Sequence, residues 1–283
     1  MAAFLEGHFL RGKGRVVFGR WDKVARNRAT RAAILALCVF TFFSNPADCQ
    51  WQEIRSIGLF EIWAQFPLAE VESELAPLLR LPEDLRRALW IETPPVSVVV
   101  QIFKSRAEYR QHLESFYPDV PFRRALYVQR QGRAVVLAYR SGELLTDLLH
   151  EGTHALLHQW LPVVPLWLDE GLAEYFEMPP GRRAFDHPHL ETVRRELRWR
   201  MLVDLERLEN LRDMSQMGGK EYRGSWAWVH FFLNGPPEVA EEFRAYLRNI
   251  QHGYPNGRLS ERLAARFPEL ERMVKSHFRS WQP

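Results

Sequence analysis

The 283-residue chain has only two cysteines, Cys38 and Cys49. Both precede residue 50, so the rest of the chain has no possible internal disulfide. Cysteine usage therefore says nothing about its redox compartment. The sequence also lacks internal repeats and low-complexity tracts. A sustained charge bias is absent too. The formal net charge of +3 is misleading, because residues 1–31 hold eight Lys/Arg against two acidic residues. The remainder carries 30 basic against 33 acidic residues, a net −3. That balance gives no electrostatic case for a nucleic-acid partner. The apolar run Ala32–Phe43 has 12 residues, short of the ~20 that a membrane span needs.

That run instead fits the apolar core of a signal peptide. It follows Arg26, Arg28 and Arg31, and Ala47-Asp48-Cys49 places small residues at cleavage spacing. The stretch before the run is long for such a peptide, which leaves an uncleaved anchor or a buried core helix as other readings. Cys49 also suggests a lipid-modified cysteine, but Pro46 stands where an aliphatic residue is expected. Residues 1–49 are thus expected to be a basic segment plus a signal peptide or short anchor. The protein is expected to be exported: periplasmic, secreted, or held at the membrane by residues 32–43. Residues 50–283 are expected to form one domain, with an N-terminal part over 50–165 and a helical part over 166–283.

Within that domain, Ile57–Trp63 can supply a strand. Leu68–Trp90 reads as a helix interrupted at Pro77 and Pro82. Val96–Phe103 is β-branched and apolar, a buried strand. Ser105 caps a helix that runs to about Phe116. Leu126–Val128 and Ala134–Tyr139 flank a hairpin turn containing Gly132. His189–Leu211 fits one long amphipathic helix. Further helices are expected over Tyr222–Leu233, Val239–Ile250 and 259–280. Strands gather in the first half and helices in the second, which argues an α+β class.

The chain is organised around Leu144–Glu177. Leu145, Leu148, Leu149, Ala155, Leu156, Leu157 and Trp160 keep a helical period. Inside this helix sits His150-Glu151-Gly152-Thr153-His154, an H-E-x-x-H pattern. Residues four apart stack on one helical face, so His150 and His154 can bind one metal ion, with Glu151 beside them as general base. Gly152, a poor helix residue, implies close packing there. A hydrolytic zinc site usually takes three protein ligands and keeps a position for water. Glu170, on the helix after the Leu161–Pro165 turn, is the candidate third ligand, and Gly171 permits close approach. Glu174, one turn on, is placed to accept the second ring N–H of a ligand histidine. Asp169 and Asp147 are weaker candidates for that task.

His150–His154 followed by Trp167-Leu-Asp-Glu-Gly-Leu-Ala-Glu174 resembles the gluzincin zinc metallopeptidases, the thermolysin-like clan. The wording is most similar to the bacterial peptidase MA-like family, and the similarity runs from about Val96 to Gly253. The resemblance implies a zincin-like fold with a small mixed or antiparallel sheet and an active-site helix. It implies Zn²⁺ as cofactor, Glu170 as third ligand, and a peptide or protein substrate that pairs with Leu126–Val128 or Ala134–Tyr139. Tyr222-Arg-Gly-Ser-Trp-Ala227 is similar to the Y-x-x-G-x-A helix start of gluzincin aminopeptidases, which implies Tyr222 as a catalytic oxyanion donor. Here Gly224 comes one residue early, and the exopeptidase motif G-x-M-E-N is absent. Endo- versus exopeptidase action therefore stays open.

Plainer readings stand beside these. The chain can be a zinc-stabilised, catalytically weak cell-envelope binding protein, or a scaffold without metal. Tyr222 can be a packing residue. His158 reads as a helix-surface or core histidine, His230 as a packed core histidine, and His187 and His189 as loop residues near a cleft. Nothing in the sequence fixes the oligomeric state.

Overall fold

The computed structural model describes residues 51–282 apart from 200 and 256. The expected signal peptide or anchor, residues 1–49, lies outside the described residues. Among the described residues no helix is long and apolar enough to cross a membrane.

Five strands form one mixed sheet: β1 (Glu53–Ile57), β2 (Phe60–Ala64), β3 (Val98–Phe103), β4 (Leu126–Arg130) and β5 (Arg133–Tyr139). Their order is β1-β2-β3-β5-β4. β2, β3 and β5 run parallel, while β1 and β4 close the two edges antiparallel to their neighbours. The single strand expected over Ile57–Trp63 is a hairpin, turned at Gly58 with a φ of +59° that glycine tolerates. The expected β4–β5 hairpin is present, with Gln131 and Gly132 both at positive φ. Two-residue turns of this kind match the strand twist.

Alternation puts the two sheet faces on different partners. Val98, Val100, Ile102, Val136 and Ala138 face the main core. Val99, Phe103, Val128, Val135 and Leu137 pack with Tyr109, Leu113 and Tyr117. Tyr109 and Leu113 lie on α2 (Arg106–Phe116), whose Ser105 hydroxyl accepts the Glu108 N–H at 3.3 Å.

On the main-core face lie α1 (Glu72–Leu89) and α3 (Leu144–Trp160). The expected breaks at Pro77 and Pro82 do not occur: α1 runs through both. An interior proline costs about 3 kcal/mol or more. Leu75, Leu78, Leu81, Leu85 and Leu89 are all buried, and burying a leucine contributes about 1.5–3 kcal/mol. The leucine stripe outweighs the two prolines. Gly152 of α3 lies under this stripe, where an added Cβ would meet Leu78 Cδ1 at 3.0 Å and Leu81 Cδ2 at 3.2 Å.

The chain then turns helical: α4 (Leu166–Phe176), α5 (Leu190–Arg198), α6 (Leu205–Glu209), α7 (Gly219–Asn234), α8 (Pro237–Gln251), α9 (Leu259–Arg266) and α10 (Leu270–Ser280). The single helix expected over His189–Leu211 is broken into α5 and α6. No proline or glycine does this. Val203 instead dips into the core, where its carbonyl accepts the Trp228 indole N–H at 3.0 Å and its Cβ lies against Gly224. The architecture is a mixed sheet with a helical second half, the expected α+β class.

Candidate metal centre

Pro162 and Pro165 end α3 and restart the chain as α4, whose first turn hangs on the Pro165 carbonyl. α4 lies between α3 and α7. An added Cβ on Gly171 would sit 2.7 Å from the Ser225 carbonyl oxygen of α7. The glycine therefore seats α4 against α7, not against α3 as the sequence suggested. It still fixes the position of Glu170, its neighbour.

His150, His154 and Glu170 converge, with ligand atoms all within 4.8 Å of one another. Glu170 Oε2 lies 3.8 Å from His150 Nε2 and 3.8 Å from His154 Nε2. That is too long for a hydrogen bond. It suits donors that share one ion through bonds of ~2.0–2.2 Å.

Each imidazole's other nitrogen is held by a carboxylate. His154 Nδ1 donates to Asp169 Oδ1 at 2.8 Å, and His150 Nδ1 donates to Glu177 Oε2 at 2.9 Å. In its neutral form each ring is thereby the tautomer whose Nε2 lone pair faces Glu170. Glu174 does not take this part. Its carboxylate accepts from His189 Nε2 at 3.0 Å instead. The reason is helical rotation. Glu174 is turned about 40° from Glu170 in one sense and Glu177 about 20° in the other. Asp169, behind Glu170, lies on the Glu177 side. Asp169 meets His154 and Glu177 meets the earlier His150, so α3 and α4 run antiparallel.

Glu177 was missed because it follows the last helical residue, just before Pro179-Pro180. Its signal was the spacing of seven from Glu170. His158 is not a bystander: its Nε2 donates to Asp169 Oδ2 at 2.8 Å. His187 is buried and His189 is held by Glu174. His230 is fully buried, as expected of a core histidine.

Glu151 points to the sheet edge, where its Oε2 accepts the Tyr127 backbone N–H of β4 at 2.7 Å. A cavity of about 220 Å³ opens here, lined by His150, Glu151, Glu177, Asp147 and Arg123. A larger, mostly apolar cavity of about 370 Å³ lies by Leu202, Val203, Trp228, Ala264 and Val274. It touches none of the clustered histidines and carboxylates, so the smaller one is the chemically relevant space.

The electrostatics ask for a cation. Burial pulls the His154 imidazole down, but Asp169 and Glu170 outweigh it and push it up to about 10. Burial likewise lowers His150, yet its bond to Glu177 and nearby carboxylates raise it on balance. Burial raises Asp169, but His154 and His158 hold it well below the usual carboxylate range. Burial raises Glu170. Tyr222, half-buried in the first turn of α7, feels the charges of Glu170, Arg123, Glu174 and Glu151. Burial first, then Glu170, pushes its phenol up to about 12. The donor set, its tautomers and its excess of carboxylates all fit a divalent ion of the zinc type. No protein-family model matches the sequence, and no curated protein matches it either.

Proposed function

We propose that this protein is a zinc-dependent peptidase of the gluzincin type with a zincin-like fold. The observation that carries the reading is the convergence of His150, His154 and Glu170, with both histidines held by carboxylates through Nδ1. Zinc bound there would act as a Lewis acid and lower the pKa of a water. Glu151, held in orientation by the Tyr127 N–H, takes the water's proton and passes it to the leaving amine. Tyr222 stays protonated at neutral pH and donates to the carbonyl oxygen as it gains negative charge.

The sheet edge supports a peptide substrate. Arg130 and Arg133 flank a two-residue turn and form a hydrogen-bonded pair, as do Val128 with Val135 and Leu126 with Leu137. Tyr127 and Gln129 therefore turn their N–H and C=O groups outward. The Tyr127 N–H goes to Glu151, and Gln129 remains to pair with an extended peptide. Export rests on residues 26–49 of the sequence alone.

The test is metal content together with hydrolysis of a peptide library. The reading expects one zinc per chain and cleavage that stops with chelator and returns with zinc. A purified protein without stoichiometric metal, or cleavage that survives His150→Ala, would sink it.

A further inference from the structure

The carboxylates that hold the two ligand candidates are themselves held. Asp169 gives Oδ1 to His154 and Oδ2 to His158, both at 2.8 Å. Glu177 gives Oε2 to His150 at 2.9 Å, and its Oε1 faces His187 Nε2 at 3.6 Å. The result is two histidine–carboxylate–histidine chains, one behind each imidazole.

His158 is partly open, and its ring packs edge-on against Tyr127 with centroids 5.4 Å apart. His187 is sealed: its side chain is 1% exposed and its ring stacks on Trp226 at 4.6 Å. Its Nε2 is buried without a hydrogen-bond partner. Glu174 Oε2 lies 3.9 Å from that nitrogen. The spacing of Glu174, Glu177 and His187 is that of a second metal site. The tautomer argues against it. His187 Nδ1 accepts the His189 backbone N–H at 3.2 Å, so Nε2 carries the ring proton and has no lone pair to give. What remains is a buried N–H aimed between two carboxylates. A buried donor left unpaired is destabilising. Packing on Trp226 needs only a flat ring, so the ring's polarity has to be accounted for by what its N–H faces.

We infer that His158 and His187 are positioning residues of the metal centre. Each uses a ring N–H to hold the far oxygen of the carboxylate that orients one ligand imidazole, and so sets zinc affinity. This rests on the zinc reading above. His158 acts through a 2.8 Å hydrogen bond and His187 through a charge–dipole contact at 3.6 Å, so His158 has the larger effect.

Zinc affinity, measured by competition with a chromophoric chelator, tests it alongside the thermal midpoint of the metal-free protein. His158→Phe and His187→Phe keep a ring against Tyr127 and Trp226 but remove the N–H. His158→Gln restores a donor without the ring. His158→Phe is expected to weaken zinc binding by up to about 10-fold, the low end of the range for loss of a direct partner of a ligand, because it acts one contact further out. His187→Phe weakens it by a smaller factor, and His158→Gln recovers most of the loss. The metal-free midpoints stay near wild type. Wild-type affinity in His158→Phe overturns the inference while leaving the zinc reading intact. A His158→Gln variant as weak as His158→Phe also overturns it, because ring packing would then be the cause. If the wild type binds no zinc, the proposed function falls and this inference falls with it. The His158 pair decides the matter even if His187→Phe does not fold.

Discussion

The Tyr127 backbone N–H donates to the Glu151 carboxylate at 2.7 Å, so the outermost strand and the proposed general base form one hydrogen-bonded unit. A base tied in this way keeps its place relative to both the sheet edge and the α3 histidines. Glu151→Gln preserves the unit, because an amide oxygen also accepts. It removes the ability to take a proton. Turnover is expected to fall about 10²–10⁴-fold, with zinc content and thermal midpoint near wild type. Hydrolysis that persists in this variant removes Glu151 from the mechanism.

Tyr222 is held protonated well above neutral pH, burial being the main cause and Glu170 the next. A phenol in that state is a donor, not a base. Tyr222→Phe is therefore expected to lower kcat about 100- to 1000-fold, the range for loss of one oxyanion donor. KM and zinc content stay close to wild type. An unchanged kcat makes Tyr222 a packing residue only.

Metal binding is expected to depend steeply on pH. In the metal-free protein His154 is raised from its ordinary 6.5 to about 10. A ligand histidine must be neutral, so zinc has to displace that proton. Affinity should tighten about tenfold per pH unit for the His154 proton throughout the range below about 10, and level off above it. The folded value is the raised one, so His154 stabilises the metal-free protein fully below about 6.5, and this is lost as pH rises toward 10. Competition titrations at pH 6.5, 7.5 and 8.5 check the slope. A flat profile means that His154 is already neutral and the electrostatic account fails.

The convergence of His150, His154 and Glu170 was legible because spacing within a helix dictates it, and the proline-bounded turn dictates the fold-back. The partners of those residues were less legible. Choosing Glu177 over Glu174 depends on the rotation of α4 about its own axis. That rotation is set by Gly171 against Ser225, a contact with a helix about fifty residues on. The break between α5 and α6 was hidden for the same reason, since Trp228 captures the Val203 carbonyl from elsewhere in the chain. Pro77 and Pro82 misled in the other direction, because local penalties were outweighed by tertiary burial.

Acid should destabilise the fold through histidines that it buries neutral. His230 is pushed down to about 3 and His277 to about 4, burial being the leading cause in both. The His230 Nε2–H donates to the Ala184 carbonyl at 2.9 Å, and its Nδ1 accepts from His277 Nε2 at 3.0 Å. Both rings are neutral in this chain of bonds. Their folded values lie below the ordinary 6.5, so the stability they allow is complete above about 6.5 and falls as pH drops toward 4 and then 3. Each tenfold loss of proton affinity on folding corresponds to about 1.4 kcal/mol. Denaturant midpoints between pH 7 and 4 should fall accordingly, and NMR should show both rings uncharged at pH 5. A stability flat from pH 7 to 4 contradicts the tautomer chain.

Two glycines near the centre should respond differently to alanine. At Gly171 the new methyl would stand 2.7 Å from the Ser225 carbonyl oxygen and 2.8 Å from its carbon. Those are backbone atoms of α7 and cannot swing aside, so α4 has to move and carry Glu170 with it. Overpacking of this kind costs about 1–3 kcal/mol, and zinc affinity should fall with it. At Gly152 the methyl meets only the ends of the Leu78 and Leu81 side chains, at 3.0 and 3.2 Å. Those ends can shift by a few tenths of an ångström, and alanine is favoured over glycine in a helix by roughly 1 kcal/mol. Gly152→Ala should therefore leave stability within about 1 kcal/mol of wild type and zinc binding unchanged. Thermal unfolding and zinc competition on the two variants measure the contrast. If Gly171→Ala binds zinc as tightly as the wild type, the α4–α7 contact does not position Glu170.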